Sequence, residues 1–251
     1  MTFFNEPERR FFSREDCERL GHQVLAMAQG GGKTRLSVMS GWDANLNWSR
    51  NAISLMSDQR SVRVQITRRV NGATGFGITN QIDSASLQAA MHVAELAARM
   101  NASRPPRIEN TYPGNKPLTP FIWDEATVQQ SGAERGEIVG RIIERATAEG
   151  VVSAGYLQAG VRTRASMDSR DRVLYYTARS VTQLSTTMRD WKQKGSGWAG
   201  RSSYAWSRID PTAIATTAIE KCIQSRNPVA VEPGRYLTIL EPHATGQLLR
   251  S

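Results

Sequence analysis

Histidine and cysteine are scarce in this 251-residue chain, with three of the first and two of the second. His22, His92 and His243 are followed by Gln23, Val93 and Ala244, so no HExxH-type zinc helix can be written, and no other spacing proposes a metal site. Cys17 and Cys222 stand far apart on helix-like stretches, which excludes a disulfide framework and a cysteine metal cluster. Long apolar runs are missing as well. Val24 to Ala28 is typical of those present, far short of the ~18 residues of a membrane span. The opening MTFFNEPERRFF interrupts its Phe pairs with Asn5, Glu6, Pro7 and Glu8, so it lacks the apolar core of a secretory signal. A cytoplasmic protein without a membrane partner is the expectation.

What is present has the balance of an ordinary globular protein, 39% apolar and 22% charged, with 32 Lys and Arg against 23 Asp and Glu. Ser13 and Asp16 resemble a capping box, and Cys17, Leu20, Val24, Leu25 and Ala28 recur at helical spacing up to Gly30-Gly31-Gly32. The period then becomes two, through Leu36, Val38, Leu46, Trp48, Ile53 and Leu55, with a parity slip near Arg50-Asn51 that predicts a bulge or a turn. Val62, Val64 and Ile66 share a face, Asn71-Gly72 predicts a hairpin, and Phe76 and Ile78 lie on the return strand with Gly75 and Gly77. Asp83 or Ser84 caps a second helix whose stripe is Leu87, Ala90, Met91, Ala94 and Ala98.

Five prolines, Pro105, Pro106, Pro113, Pro117 and Pro120, mark a connection, and a similar order of elements follows it. A helix is predicted over Glu134–Glu149, strands over about Val151–Arg164, Arg172–Arg189 and Trp198–Arg208, and a helix from Asp210-Pro211 with the stripe Ile214, Ala218, Ile219, Cys222 and Ile223. Arg235–Leu240 reads as the first strand of a new domain, too near residue 251 to find partners, which suggests a fragment or partners supplied by another chain. The expected fold is α+β: two helix–antiparallel meander–helix units, residues 1–104 and 121–227, joined by a Pro-rich connection, 105–120, with 228–251 opening a truncated C-terminal domain.

Three stretches invite chemistry. Gly31-Gly32-Lys33-Thr34 looks like the end of a phosphate loop, but Met27 occupies the position of its first glycine and a strand follows, so a helix stop is the better reading. His92 and Glu95, one helical turn apart, are at most half of a metal site. Arg189 to Arg208 interleaves Trp191, Trp198, Tyr204 and Trp206 with Lys192, Lys194 and Arg201 around Gly195-Ser196-Gly197. It reads as a hairpin with the glycines at its tip, structural or peptide-facing, with a nucleic-acid platform as the alternative.

Several segments together resemble the TldD/PmbA family of zinc metallopeptidases, once called modulators of DNA gyrase. Glu232 to Pro242 is similar to its PG-Y-x-V-x-L-x-P segment, Arg50-Asn51-Ala52-Ile53 to its RNG element, and Asn71-Gly72-Ala73-Thr74-Gly75-Phe76-Gly77-Ile78-Thr79-Asn80 to its glycine-rich hairpin. Asp168-Ser169 departs from the family's Asn-Ser-x-Gly. The resemblance implies peptide hydrolysis by a two-subunit assembly, homo- or heterodimeric, acting on a peptide substrate. It also implies zinc for the full-length catalytic member. Because the family's HExxxH motif falls beyond residue 251, the resemblance assigns no catalytic, cofactor or metal residue here.

Overall fold

The computed structural model describes residues 11–102 and 122–249; the Pro-rich connection lies outside the described residues. Strand β1 (Lys33–Ser49) buries Leu36, Val38, Trp42, Ala44, Leu46 and Trp48, while Arg35 and Met39, on alternate positions, stay exposed. Successive side chains of a strand point to opposite faces, so this alternation places the core on one side of the sheet. Val62, Val64 and Ile66 of β2 (Ala52–Val70) and Leu157, Val161 and Met167 of β4 (Val152–Asp168) continue that buried face. With β3 (Ala73–Thr79), β5 (Leu174–Asp190) and β6 (Gly195–Ser203) they form one antiparallel sheet in the order β3-β2-β1-β4-β5-β6. The two successive meanders do not close as separate sheets. Strand β1 pairs with β4 from Arg35↔Asp168 to Trp48↔Gly155, which fuses them at the centre.

The turns follow the local chemistry. Arg50 and Asn51 both take positive φ, 53° and 58°, and join β1 to β2 in a two-residue turn. A register shift at Asn47/Trp48 accompanies it, so the parity slip in the sequence is a turn and a bulge together. Asn71 and Gly72, at 51° and 82°, close the next hairpin as predicted. Helix α1 (Arg14–Met27) begins in the reciprocal Ser13–Asp16 capping box, and α2 (Ser84–Asn101) begins on the Asp83 side chain. Then come α3 (Glu125–Gln129), α4 (Gly132–Ala148), α5 (Pro211–Gln224) and α6 (Pro242–Leu248). The stripe on α2 is the expected one; on α5, Ala215 is buried where Ile223 was expected.

All four long helices pack on the same sheet face. Helices α1 and α2 meet Leu36, Val64, Ile66 and Met167, whereas α4 and α5 meet Leu46, Trp48, Leu157 and Leu184. Between these clusters Val128 of α3 closes over Trp42, Ala44 and Val161. Among the described residues the opposite face carries only the short α6, whose His243 lies on the outward-pointing Trp198 at the β6 edge.

The segment read as a strand lacking partners within this chain has none among the described residues. Arg235–Leu240 is not paired, and Leu237 and Ile239 are 100% and 93% exposed. An extended segment becomes a strand only by bonding to a sheet edge, and none lies beside this one among the described residues. The neighbouring α6 is instead attached through the Lys221–Glu241 ion pair, 2.6 Å, and the His243 ring 4.3 Å from Trp198.

Candidate functional site

The sheet face opposite the four long helices is open at its centre among the described residues. Its centre is set by register: Arg63, Met39 and Arg164 lie in one row across β2, β1 and β4, and Arg162 and Arg179 pair in the next row. Their side chains and Ser61 line a depression of about 250 Å³. Arg162 is held in place, with Nη2 donating to Asp43 at 2.5 Å and Nη1 to the carbonyls of Val161 and Trp42. Arg63, Arg164 and Arg179 are exposed and have no carboxylate within ion-pair distance among the described residues. The acids of this face are already engaged: Asp43 also accepts from Gln158, and Asp168 accepts from Arg35 and Arg170. A second depression of about 420 Å³ opens on the same side and includes Arg50, Val152, Arg189 and Trp191. The convergence of these arginines depends on the pairing of β1 with β4 and is not visible in the alternation of any one strand.

The glycine-lysine-threonine stretch holds no phosphate site. Gly30 and Gly32 adopt φ 68° and 118°, and the chain runs directly into β1. The Arg68 guanidinium, 2% exposed, occupies the loop's interior, donating to the carbonyls of Gln29 and Gly31 and to the Thr34 hydroxyl at 2.6 Å. Its Nε lies 3.3 Å from Glu95, so that carboxylate is committed to an ion pair. His92 is exposed on α2, His22 is exposed on α1, and His243 stacks on Trp198. Among the described residues no three His, Cys, Asp or Glu side chains converge, and these residues do not fit a zinc ion. Both cysteines are buried. Burial pushes the Cys17 thiol up to about 12, so it holds its proton at neutral pH.

The Arg189–Arg208 hairpin is built differently from the expectation. Its tip is Trp191–Lys194, shaped by Asp190 accepting from the N–H groups of Lys192 and Gln193, with Lys194 at φ 57°. Gly195 and Gly197 belong to β6, against the α5 backbone. The third strand ends at Ser203, and Trp206–Arg208 is a 3-10 turn. Trp198 packs on His243, Trp206 on the core, and the Arg208 guanidinium lies 4.7 Å from the Tyr204 ring centroid. Trp191 alone of these rings is largely exposed, at 72%, with Arg189 over it at 5.7 Å.

Arg179 is positioned by a polar junction on the covered side. The adjacent Ser180 hydroxyl donates to the Tyr204 carbonyl and accepts from the Asp124 N–H, while Asp124 accepts from the hydroxyl and N–H of Thr127 and the N–H of Trp206. Burial works to raise the Asp124 carboxyl's pKa, but the hydrogen bonds from Thr127 and Trp206 outweigh it and hold it below its ordinary value. Asp168 is likewise lowered, burial being outweighed by Arg170 and Arg35. A carboxyl depressed in the folded state adds stability above its unfolded pKa, which is lost as pH falls through the lower folded value. The urea midpoint should therefore hold from neutrality to about pH 5 and decline below about pH 4. Asp124→Asn should make that decline shallower in denaturation series across pH; an equally steep decline would contradict the assignment.

The fold class is thus an α+β layer pair, one six-stranded antiparallel sheet with its four long helices on a single face. Solved structures share it. A candidate modulator of DNA gyrase from Bacteroides thetaiotaomicron superposes with a TM-score of 0.73 at 16% identity, over 95% of this chain and 56% of its own. One from Thermotoga maritima gives 0.67 at 16%, over 86% and 50%. TldE from Thermococcus kodakarensis gives 0.62 at 15%, over 83% and 47%. The chain spans about half the length of these structures, and at such identities the likeness is one of fold. It agrees with the resemblance read from the sequence motifs. No family model matches the chain, and no curated protein matches it in sequence. No helix among the described residues is long and apolar enough to cross a membrane.

Proposed function

We propose that this chain is the part without a metal site of a TldD/PmbA-type metallopeptidase, or of a partner subunit of that type, acting in the cytoplasm. Its role is assembly with a second subunit and control of the path by which an extended peptide reaches the metal. The shared fold with TldE and with two candidate gyrase modulators supports this reading. The observation that carries it is the sheet face left open opposite the four long helices among the described residues. An antiparallel sheet tolerates water on one side, but here that side also exposes Met39, Phe76 and Ile78 at 45%, 58% and 43%. Large apolar side chains gathered on an exposed face are the mark of an interaction surface. In this reading the zinc chemistry belongs to an HExxxH helix that the described residues do not supply.

The rival reading, a basic nucleic-acid-binding module, has less support, because the hairpin proposed to carry it leaves one ring free for stacking. The test is metal analysis of the purified chain and a peptide-cleavage assay with added zinc. The chain should bind no stoichiometric zinc and cleave nothing alone. Co-purification with an HExxxH-bearing subunit, and cleavage restored in that complex, would support the role. Chelator-sensitive cleavage by the chain alone, or failure to associate, would overturn it.

A further inference from the structure

We propose that the arginine-lined depression at the centre of the open face binds an extended acidic peptide, its carboxylates seated on Arg63, Arg164 and Arg179. Three observations converge. These guanidiniums come from three different strands, and register places them on one face, so the cluster is a product of the fold and not of a charged run. They have no carboxylate within ion-pair distance among the described residues, although Arg162 beside them has one. Like charges gathered without counter-charges repel one another, and an incoming anion relieves that repulsion.

Geometry favours a peptide as the bearer of the anions. Arg164 and Arg179 stand two residues apart along the strand direction, about 6.6–6.8 Å, because Arg179 pairs with Arg162 on a neighbouring strand about 4.8 Å away, and Arg63 is level with Arg164. Carboxylates at alternate positions of an extended chain repeat at the same ~6.6–6.8 Å, so a segment lying along β4 meets the cations in register. Arginine forks suit planar carboxylates, each taking paired N–H donors. The lining offers Met39 and Ser61 but no aromatic ring, so nucleobases have nothing there to stack on.

The inference rests on the peptide-facing role proposed above for the choice of ligand, but its test needs only the chain itself. Fluorescence anisotropy would follow a labelled peptide of about ten residues with Glu at alternate positions, long enough to cross the depression. Arg164→Glu/Arg179→Glu should weaken binding by about tenfold or more, since reversed charges repel the carboxylates. Arg141→Glu, a single reversal at an exposed position of α4, should change it less than about twofold, because the distance is screened. The Gln analogue of the peptide should not bind. Should the double variant lose its cooperative melt, Arg179→Gln replaces it, with a smaller loss expected in the same direction.

Equal weakening by Arg141→Glu would reduce the effect to net charge and overturn the site. So would full binding by the charge-reversed variants. Tighter binding of oligothymidylate, lost in the same double variant, would replace the peptide with nucleic acid. Competition by inorganic phosphate as strong as by the peptide would make this a simple anion site and overturn the peptide assignment. Association with an HExxxH subunit is read separately: its failure with acidic-peptide binding intact defeats the proposed role alone, and the reverse defeats this site alone.

Discussion

Glu95→Ala should lower the unfolding free energy by about 3 kcal/mol, while His92→Ala, one turn away, should change it by less than about 0.5 kcal/mol. The difference follows from what each side chain touches. His92 is exposed, whereas Glu95 lies 3.3 Å from an Arg68 guanidinium that is 2% exposed. Deleting one partner of a buried ion pair strands the other charge away from water, at a cost of about 3–5 kcal/mol. The low end applies, because Glu95 keeps 20% of its side chain in solvent and Arg68 retains the Gln29 and Gly31 carbonyls and the Thr34 hydroxyl. Urea denaturation at neutral pH with unchanged m-value reads the effect directly. A loss under about 1 kcal/mol would mean that the loop carbonyls alone satisfy Arg68. The same experiment separates a metal half-site from a structural ion pair, since the former predicts no loss of stability in the metal-free chain.

The elements were legible where a local rule sufficed. The Ser13 capping box, the Asp83 and Asp210 caps, the Asn71-Gly72 turn and the buried stripe of α2 all depend on residues within a turn or two of one another. Reading failed where the outcome depends on a distant partner. The arginines of the open face become a cluster only through the β1–β4 pairing, across more than a hundred residues of sequence. The edge strands invert the usual pattern: Phe76 and Ile78 point outward while Gly75 and Gly77 face α2, and Trp198 points outward while Gly195 and Gly197 face α5. Period two reveals which residues share a face; which face is covered depends on the helix that arrives later.

That inversion carries the second large effect. Gly77→Val and Gly197→Val should each destabilise the protein by about 3 kcal/mol, near the upper end of overpacking costs. A Cβ on Gly77 would stand 2.0 Å from the Ala90 carbonyl oxygen, and one on Gly197 2.0 Å from that of Ala218. Both obstacles are helix backbone, which no rotamer change can move aside, so the whole helix must lift from the sheet. Ala90, Ala94 and Ala98 on α2, and Ala218 and Cys222 on α5, are small or buried where they meet these glycines, and lifting opens voids along each stripe. Gly140→Ala on α4 is the control: nothing lies within 4 Å of its added Cβ, so helix propensity should give a gain of about 0.5–1 kcal/mol. Thermal and urea melts of the three variants decide the matter. If Gly77→Val or Gly197→Val melts like the parent, α2 or α5 does not ride on its glycines as closely as 2.0 Å implies, and the helix-covered face is more loosely built than its contacts indicate.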